Sequence, residues 1–388
     1  MARLPRFHTS PRRFMSRKYD TLNLIEVSRS AILHNFDLLE SLHRTDIIPV
    51  LKSNAYGHGI REVAIVLRSR KFPYIAVDGY FEALEIRRVS KQPVLIMGSI
   101  GSNDINKLPL RGATYVIHSP ESFDRLSRAT RKVNVHIEIN TGMNRHGLSP
   151  TELKAVLKQL PSTKLVLEGV MTHLADADNP TSDAYSIGQY QQFSHALRTV
   201  RRAGFQPRYI HATNSAGTAK DLPAGMGINA VRPGIALYGI NPLEPDDPHY
   251  DVLQQLSPAL QFVSHIDQVQ TLRKGDRISY NGIYTCRKDT RIGVVPVGYY
   301  EGVPRALSNC GVLIGGGNVR LPIRGRVCMN HTMVDVTVPQ LSVGDEVTII
   351  SSTRSQPNSI QSLADKHGLF TYSLLTGLSS STRRVIGD

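Results

Sequence analysis

Ile47-Ile48-Pro49-Val50-Leu51-Lys52, running on through Ser53-Asn54-Ala55-Tyr56-Gly57-His58-Gly59, is the stretch on which the fold turns. An apolar, β-branched run ends in a lysine. A glycine-punctuated turn then leads into Ile60–Arg70, where apolar residues recur at a helical period. This strand–turn–helix unit repeats along the chain. Strand-like runs follow at Tyr74–Asp78, Pro93–Gly98, Thr114–Ser119, Asn134–Asn140, Leu165–His173, Tyr209–Asn214 and Ala230–Tyr238. Amphipathic stretches such as Phe81–Val89, Ser119–Ala129 and Tyr185–Ala203 lie between them, and an earlier helix, Ser30–Leu42, puts Ile32, Phe36 and Leu39 on one face. Eight strands alternating with helices over about 200 residues predict a (β/α)8 TIM-type barrel. A doubly wound open sheet shares the alternation, but no GxGxxG fingerprint supports it.

Past residue 250 the rhythm changes. Gln261–Thr271, Thr290–Pro296, Gly311–Ile314 and Glu346–Ile350 read as strands between turn signals, with little helical period before 359–366. The expected architecture is a barrel over 21–250 and a mainly β domain over 251–388, joined by the Pro/Asp-rich Asn241–Pro248. The first strand, 21–28, is left free to pair with the C-terminal domain.

Composition limits the function classes. The 388 residues are 40% hydrophobic and 20% charged, a globular balance, and no apolar run approaches the roughly 20 residues of a membrane span. Cys286, Cys310 and Cys328 form no CxxC pair, so neither a disulfide framework nor a zinc site is expected, and a reduced, cytoplasmic protein is. The net charge is +14, of which residues 1–20 carry +5. That segment lacks the apolar core of a secretory signal; it reads as a disordered basic extension or, being Arg-rich and acid-poor, a transit peptide. The remaining basic residues are scattered and not interleaved with aromatics, which disfavours a nucleic-acid binder. Anionic substrates account for the same excess.

A lysine at the C-terminal end of a barrel strand points into the mouth, where active sites of this architecture lie. Desolvated there, Lys52 can form a Schiff base with a carbonyl. A surface lysine ahead of a turn would read the same way.

The stretch Lys52–Gly59 resembles the pyridoxal-phosphate lysine motif of the alanine racemase family. The resemblance recurs, in order, at Asn140–Arg145, Met171-Thr172-His173, His211–Gly217, Val231–Gly239, Ser279-Tyr280, Gly298–Gly302 and Gly325–Asn330. It implies pyridoxal 5'-phosphate held by Lys52, which then serves as one of two acid/bases. Tyr280 matches the second, on the opposite face of the substrate carbanion. A phenol ordinarily ionises near pH 10, so a neighbour must assist it, and His173 matches the residue that contacts it. Arg232 matches the arginine facing the pyridine nitrogen, with His211 behind it, and Tyr56 a phosphate contact. Arg145 and the backbone of Met329 match substrate contacts, Tyr284 and Tyr299 the aromatic entrance, and Cys328 a packed neighbour of the site. Barrel geometry points independently to phosphate on the loops after the last two strands, where Asn214, Ser215, Gly234 and Ile235 offer a hydroxyl and backbone N–H groups.

The implied activity is interconversion of L- and D-alanine, supplying D-alanine for peptidoglycan, in a homodimer whose sites combine Lys52 of one copy with Tyr280 of the other. No metal, nucleic acid or membrane is involved. A serine or broader-specificity racemase is the near alternative. A decarboxylase of related fold should show a Cys-Asp-Ser type segment, and a non-catalytic cofactor carrier should be a lone barrel.

The chain also departs from the family. Glu138 stands where many members carry a lysine converted to a carbamate, and a Glu138–Arg145 ion pair is expected in its place. Leu378–Arg384 lacks the tyrosine that usually precedes Arg-Val-Pro-Arg, removing an entrance gate. Glu301 and Asn330 each replace the more usual aspartate.

Overall fold

The computed structural model describes residues 21–101, 105–108, 110, 112–338 and 340–388; the expected basic extension, 1–20, lies outside the described residues. Strand β1 (Leu24–Ser28) leads directly into helix α1 (Arg29–His43). Ser28 caps that helix by accepting from the Ala31 N–H at 3.0 Å, and the Asp388 carboxylate accepts from the Arg29 N–H at 2.7 Å. Ile32, Phe36 and Leu39 are buried, as their period requires.

Eight parallel strands follow: β2 (Asp46–Ile47), β3 (Ile75–Val77), β4 (Val94–Ile96), β5 (Ala113–Ile117), β6 (Val133–Glu138), β7 (Leu165–Met171), β8 (Tyr209–His211) and β9 (Ala230–Val231). They are hydrogen-bonded in the order β2-β9-β8-β7-β6-β5-β4-β3. The ring closes beyond β2, where Val50 bridges Ala76 and the Leu51 N–H donates to the Ala76 carbonyl at 2.8 Å. The crossovers carry a short turn α2 (Lys52–Tyr56), then α3 (Ile60–Val66), α4 (Tyr80–Arg87), α5 (Pro120–Ser127), α6 (Pro150–Gln159), α7 (Ala184–Arg202) and α8 (Ser215–Ala219). Ser119 and Ser149 cap α5 and α6 ahead of a proline in the first turn, which sets where each helix starts. The last two strands are shorter than their apolar runs suggest. The Asn214 side chain caps α8, and past β9 Pro233 has no N–H to donate, although its carbonyl still accepts from the Val50 N–H at 3.0 Å.

The C-terminal part comprises β10 (Leu260–His265), β11 (Gln268–Leu272), β12 (Arg277–Ile278), β13 (Tyr284–Thr285), β14 (Thr290–Val295), β15 (Val312–Gly315), β16 (Val319–Pro322), β17 (Thr332–Asp335), β18 (Glu346–Ile350), α9 (Ile360–His367), α10 (Thr371–Thr376) and β19 (Arg383–Gly387). These form a six-stranded sheet β16-β15-β18-β10-β1-β19, a three-stranded sheet β11-β14-β17 and the hairpin β12-β13. The run Gln261–Thr271, a single strand by its pattern, is two. At the corner the Ile266 N–H donates to Asp345 and the Asp267 N–H to Val294, so adjacent residues serve different sheets. β1 pairs antiparallel with β10 and parallel with β19, placing the first strand inside the C-terminal sheet. Asn241–Pro248 does more than connect: Asp247 is buried and ion-paired to Lys220 of the barrel at 3.1 Å. One apolar core runs through both parts, from Val135 and Ile137 of β6 to Leu321 of β16 and Leu375 of α10.

Candidate active site

The turn after β2 is wound left-handed. Ser53, Asn54, Ala55 and Tyr56 have φ of 55, 54, 53 and 50°, a conformation costly to side chains with a Cβ and found where surrounding structure imposes it. The fastenings are visible. The Ser53 N–H donates to Glu82 at 2.6 Å, the Ile60 N–H to the Asn54 side chain at 2.9 Å, and Arg384 Nε to the Gly57 carbonyl at 3.0 Å. Gly57 has φ of 82°, and a Cβ there would lie 2.0 Å from the Leu375 carbonyl oxygen, so α10 packs directly on its backbone. Lys52 thus begins a turn clamped from both parts of the molecule.

Just beyond β9, the neighbour of β2, Arg232 is 3% exposed. Its Nη1 donates to His211 Nδ1 at 2.7 Å and its Nη2 to the carbonyl of Thr172 at 2.6 Å, with His173 Nδ1 at 3.4 Å. Burial lowers its pKa to about 10, so it remains a cation, and among the described residues no carboxylate lies within ion-pair reach of it. Burial, then Arg232, Arg145 and Lys52, push His173 down to about 3. His173 is therefore a neutral imidazole. Gln189 of α7 secures it, donating to the His173 carbonyl at 2.9 Å and to Thr141 Oγ1 at 3.2 Å.

Across the mouth, Ser215 Oγ accepts from the Gly234 and Ala236 N–H groups at 2.9 and 3.2 Å, joining the loops after β8 and β9. Asn214 accepts from the Gly217 N–H at 3.0 Å. A Cβ on Gly234 would sit 2.4 Å from the Tyr56 hydroxyl, and Ile235 opens the short helical turn behind it.

Glu138 ends β6, 7% exposed, its pKa raised by burial against the opposing fields of Arg232, His146 and Arg145. The expected Glu138–Arg145 ion pair is not formed. Among the described residues no salt bridge joins them: Glu138 is buried at the end of β6, whereas Arg145 stands exposed on the loop beyond it, next to Asn144 with φ 53°.

The remaining candidates sit in the C-terminal domain. Tyr280, between β12 and β13, is 68% exposed, and its hydroxyl has no hydrogen-bond partner among the described residues. Ser279 Oγ lies 2.9 Å from the Arg326 carbonyl and 3.4 Å from Cys328 Sγ, fixing this turn beside Cys328-Met329. The Tyr299 N–H donates to the Cys328 carbonyl at 3.0 Å, and Arg324 lies over the Tyr284 ring at 4.9 Å. The two unusual residues are partners, Asn330 donating to Glu301 at 2.7 Å. Site residues thus fall into two groups. Among the described residues no hydrogen bond or ring contact joins the group around Lys52 to the group around Tyr280.

Sequence reasoning missed His136, whose Nδ1 lies 2.8 Å from His211 Nε2. The available signal was its place two residues before Glu138, on the same side of β6. It also passed over Gln189 and Arg384; nothing local in the sequence marks Gln189, which sits among apolar residues on the buried side of α7.

A closed parallel barrel with an amine and a buried guanidinium at its mouth, followed by a β-domain that presents exposed phenols, defines a two-domain barrel enzyme. Family models agree in detail: "Alanine racemase, N-terminal domain" matches residues 27–242 and "Alanine racemase, C-terminal domain" residues 259–386. The alanine racemase of Carboxydothermus hydrogenoformans is 35% identical over 367 residues, 93% of this chain and 98% of that protein. That of Leptospira interrogans serovar copenhageni is 34% identical over 375 residues, 94% and 95% of the two. The crystal structure of alanine racemase from Bacillus anthracis with bound L-Ala-P superposes with a TM-score of 0.86 at 31% identity, covering 96% of each chain. The enzyme of Bartonella henselae with covalently bound pyridoxal phosphate shares the fold, TM-score 0.79 at 23% identity over 95% of this chain and 100% of that one. The chain belongs to the alanine racemase family, and with it to the isomerases.

Proposed function

We propose that this protein is a pyridoxal-5'-phosphate-dependent racemase that interconverts L- and D-alanine by moving protons at Cα between Lys52 and the Tyr280 of a second copy. The observation that carries the reading is the geometry at the barrel mouth, where Arg232, 3% exposed, donates to His211 Nδ1 and the Thr172 carbonyl and reaches His173 Nδ1 at 3.4 Å, beside the turn that Lys52 begins.

The residues fit the cofactor. Tyr56 and the Ser215–Gly234 contact form a cradle that a Cβ at position 234 would fill, suited to phosphate oxygens, with Asn214 and Ile235 at its rim. Lys52 supplies a primary amine for the carbonyl carbon. Arg232 supplies a cation that burial leaves charged. When bound, the cofactor supplies an electron-withdrawing ring that makes the amino acid's Cα–H acidic.

The chain's own groups then decide direction. Lys52 Nζ takes or returns the proton on one face, and Tyr280 Oη serves the other. With Nδ1 turned to the Arg232 donor, neutral His173 can donate its Nε2–H to the oxygen of that phenol and so favour its ionised form. Arg232 stays protonated and so denies a proton to the ring nitrogen. Arg145 and the Met329 backbone hold the substrate carboxylate, Tyr284 and Tyr299 shape the entrance, and Cys328 packs behind Tyr280. Tyr280, Tyr299 and Met329, 68, 44 and 55% exposed, form a surface suited to covering a barrel mouth, so a head-to-tail homodimer completes each site. Among the described residues no helix is long and apolar enough to cross a membrane, and all three cysteines are unpaired. The D-alanine would be supplied in the cytoplasm for peptidoglycan. The comparisons give no support to a decarboxylase or a carrier.

The test is direct. The purified protein with pyridoxal phosphate and single L-amino acids in D2O should produce D-alanine carrying α-deuterium. Serine turnover equal to alanine would overturn the substrate, and absence of α-exchange the reaction. Sedimentation should show a dimer; an active monomer would overturn the composite site.

A further inference from the structure

Behind Arg232 the barrel interior carries a second histidine that the reaction does not touch. His136 and His211 are both 0% exposed, with His211 Nε2 and His136 Nδ1 2.8 Å apart. The strands make room for this pair. β6 slips by one residue against β7 between Val135 and His136, and at Gly169 of β7 a Cβ would lie 2.6 Å from two atoms of the His136 ring. Any other residue at 169 would displace the imidazole.

Hydrogen-bond bookkeeping determines where every proton in this column lies. A guanidinium only donates, so at 2.7 Å from Arg232 Nη1 the Nδ1 of His211 must accept. His211 therefore carries its proton on Nε2 and donates to His136 Nδ1. His136 in turn carries its proton on Nε2, which has no acceptor among the described residues and belongs to a ring in edge contact with Tyr74, centroids 5.2 Å apart at 88°. The opposite tautomer of His211 would set an N–H against the guanidinium N–H groups, two donors head to head in a dry interior.

We infer that His136 is a positioning residue: by accepting from His211 it locks the tautomer that presents a lone pair to Arg232, and so aims the guanidinium. Its effect on turnover rests on Arg232 facing the cofactor ring, as proposed above; the tautomer lock itself does not. Removing the acceptor leaves His211 Nε2–H unmatched or reverses its tautomer, and either loosens Arg232.

Nitrogen NMR of the full chain labelled with 15N-histidine reads the tautomers, with or without cofactor. In the wild type both rings should be neutral and protonated on Nε2. His136→Leu should mix or invert the His211 tautomer and lower kcat about tenfold, with KM for alanine changed less than about twofold. His136→Asn, whose Oδ1 occupies the bond position of Nδ1, should restore the tautomer and most of kcat. A wild-type His211 protonated on Nδ1 overturns the inference even if no variant folds. So does an unchanged tautomer in His136→Leu, or equal losses in the Leu and Asn variants, which would reduce His136 to packing. A wild type that shows the expected tautomers but racemises nothing supports the lock and overturns the function proposed above.

Discussion

Arg232 Nη1 lies 2.7 Å from His211 Nδ1, so the most buried cation at the barrel mouth is held by a neutral imidazole and backbone carbonyls. A planar fork serves this arrangement because its N–H groups reach His211 and the carbonyls of Thr172 and Ala212 together. Arg232→Lys cannot span these acceptors. It should cost about 2 kcal/mol, a fall in Tm of roughly 2–3 °C by calorimetry. An unchanged Tm would mean that the carbonyl contacts contribute nothing.

The separation of Lys52 and Tyr280 into two groups leads to a complementation experiment. Lys52→Ala and Tyr280→Phe should each abolish racemisation. Unfolded together and refolded as mixed dimers, they should recover about a quarter of wild-type activity, since half the dimers would hold one intact site of two. No recovery, with dimers demonstrably mixed, excludes a site shared between copies.

Close approach at Gly234 should make it intolerant of a methyl group. Gly234→Ala places a Cβ against the Tyr56 hydroxyl and should weaken cofactor binding by about 1–3 kcal/mol, read by equilibrium titration of absorbance. Tyr56→Phe removes the clashing oxygen, so the double variant should bind better than the sum of the singles implies. Strict additivity would show that the two residues do not meet.

Acid should weaken the fold earlier than carboxylate titration does. Burial, then Arg232, pushes His136 down to about 3, and burial holds His58 at about 4 despite its bond to the Tyr56 carbonyl. In the unfolded chain both take up protons near pH 6.5; folded, they resist until pH reaches the depressed values. Their contribution is therefore fully present above about pH 6.5 and is lost as pH falls toward 3–4, on the order of 1 kcal/mol per pH unit for each. Tm should decline between pH 7 and 5, less steeply in His58→Phe. A flat profile over that range would show these rings exposed to solvent.

Local patterning made much of the molecule legible. The eight strands and most of the helices between them were visible because an apolar period is set by adjacent residues, and helix starts such as Ser119-Pro120 and Ser149-Pro150 announce themselves within four positions. The lysine turn, the phosphate-suited loops and Tyr280 were legible for the same reason: each is a contiguous stretch. The corner at Ile266–Asp267 was not, because two strands meeting end to end keep one uninterrupted pattern.

By itself the sequence determined the barrel, the β-domain after it and the residue types that carry the chemistry. The tertiary structure decided which residues meet. It paired β1 with β19 across more than 350 residues, left Glu138 and Arg145 apart, joined Glu301 to Asn330, and set His136 behind His211 and Arg232. Strand period and capping are energies of neighbours along the chain. Where a buried donor finds its acceptor is settled only once distant segments are packed, since the cost of leaving it unmatched arises only after water has gone.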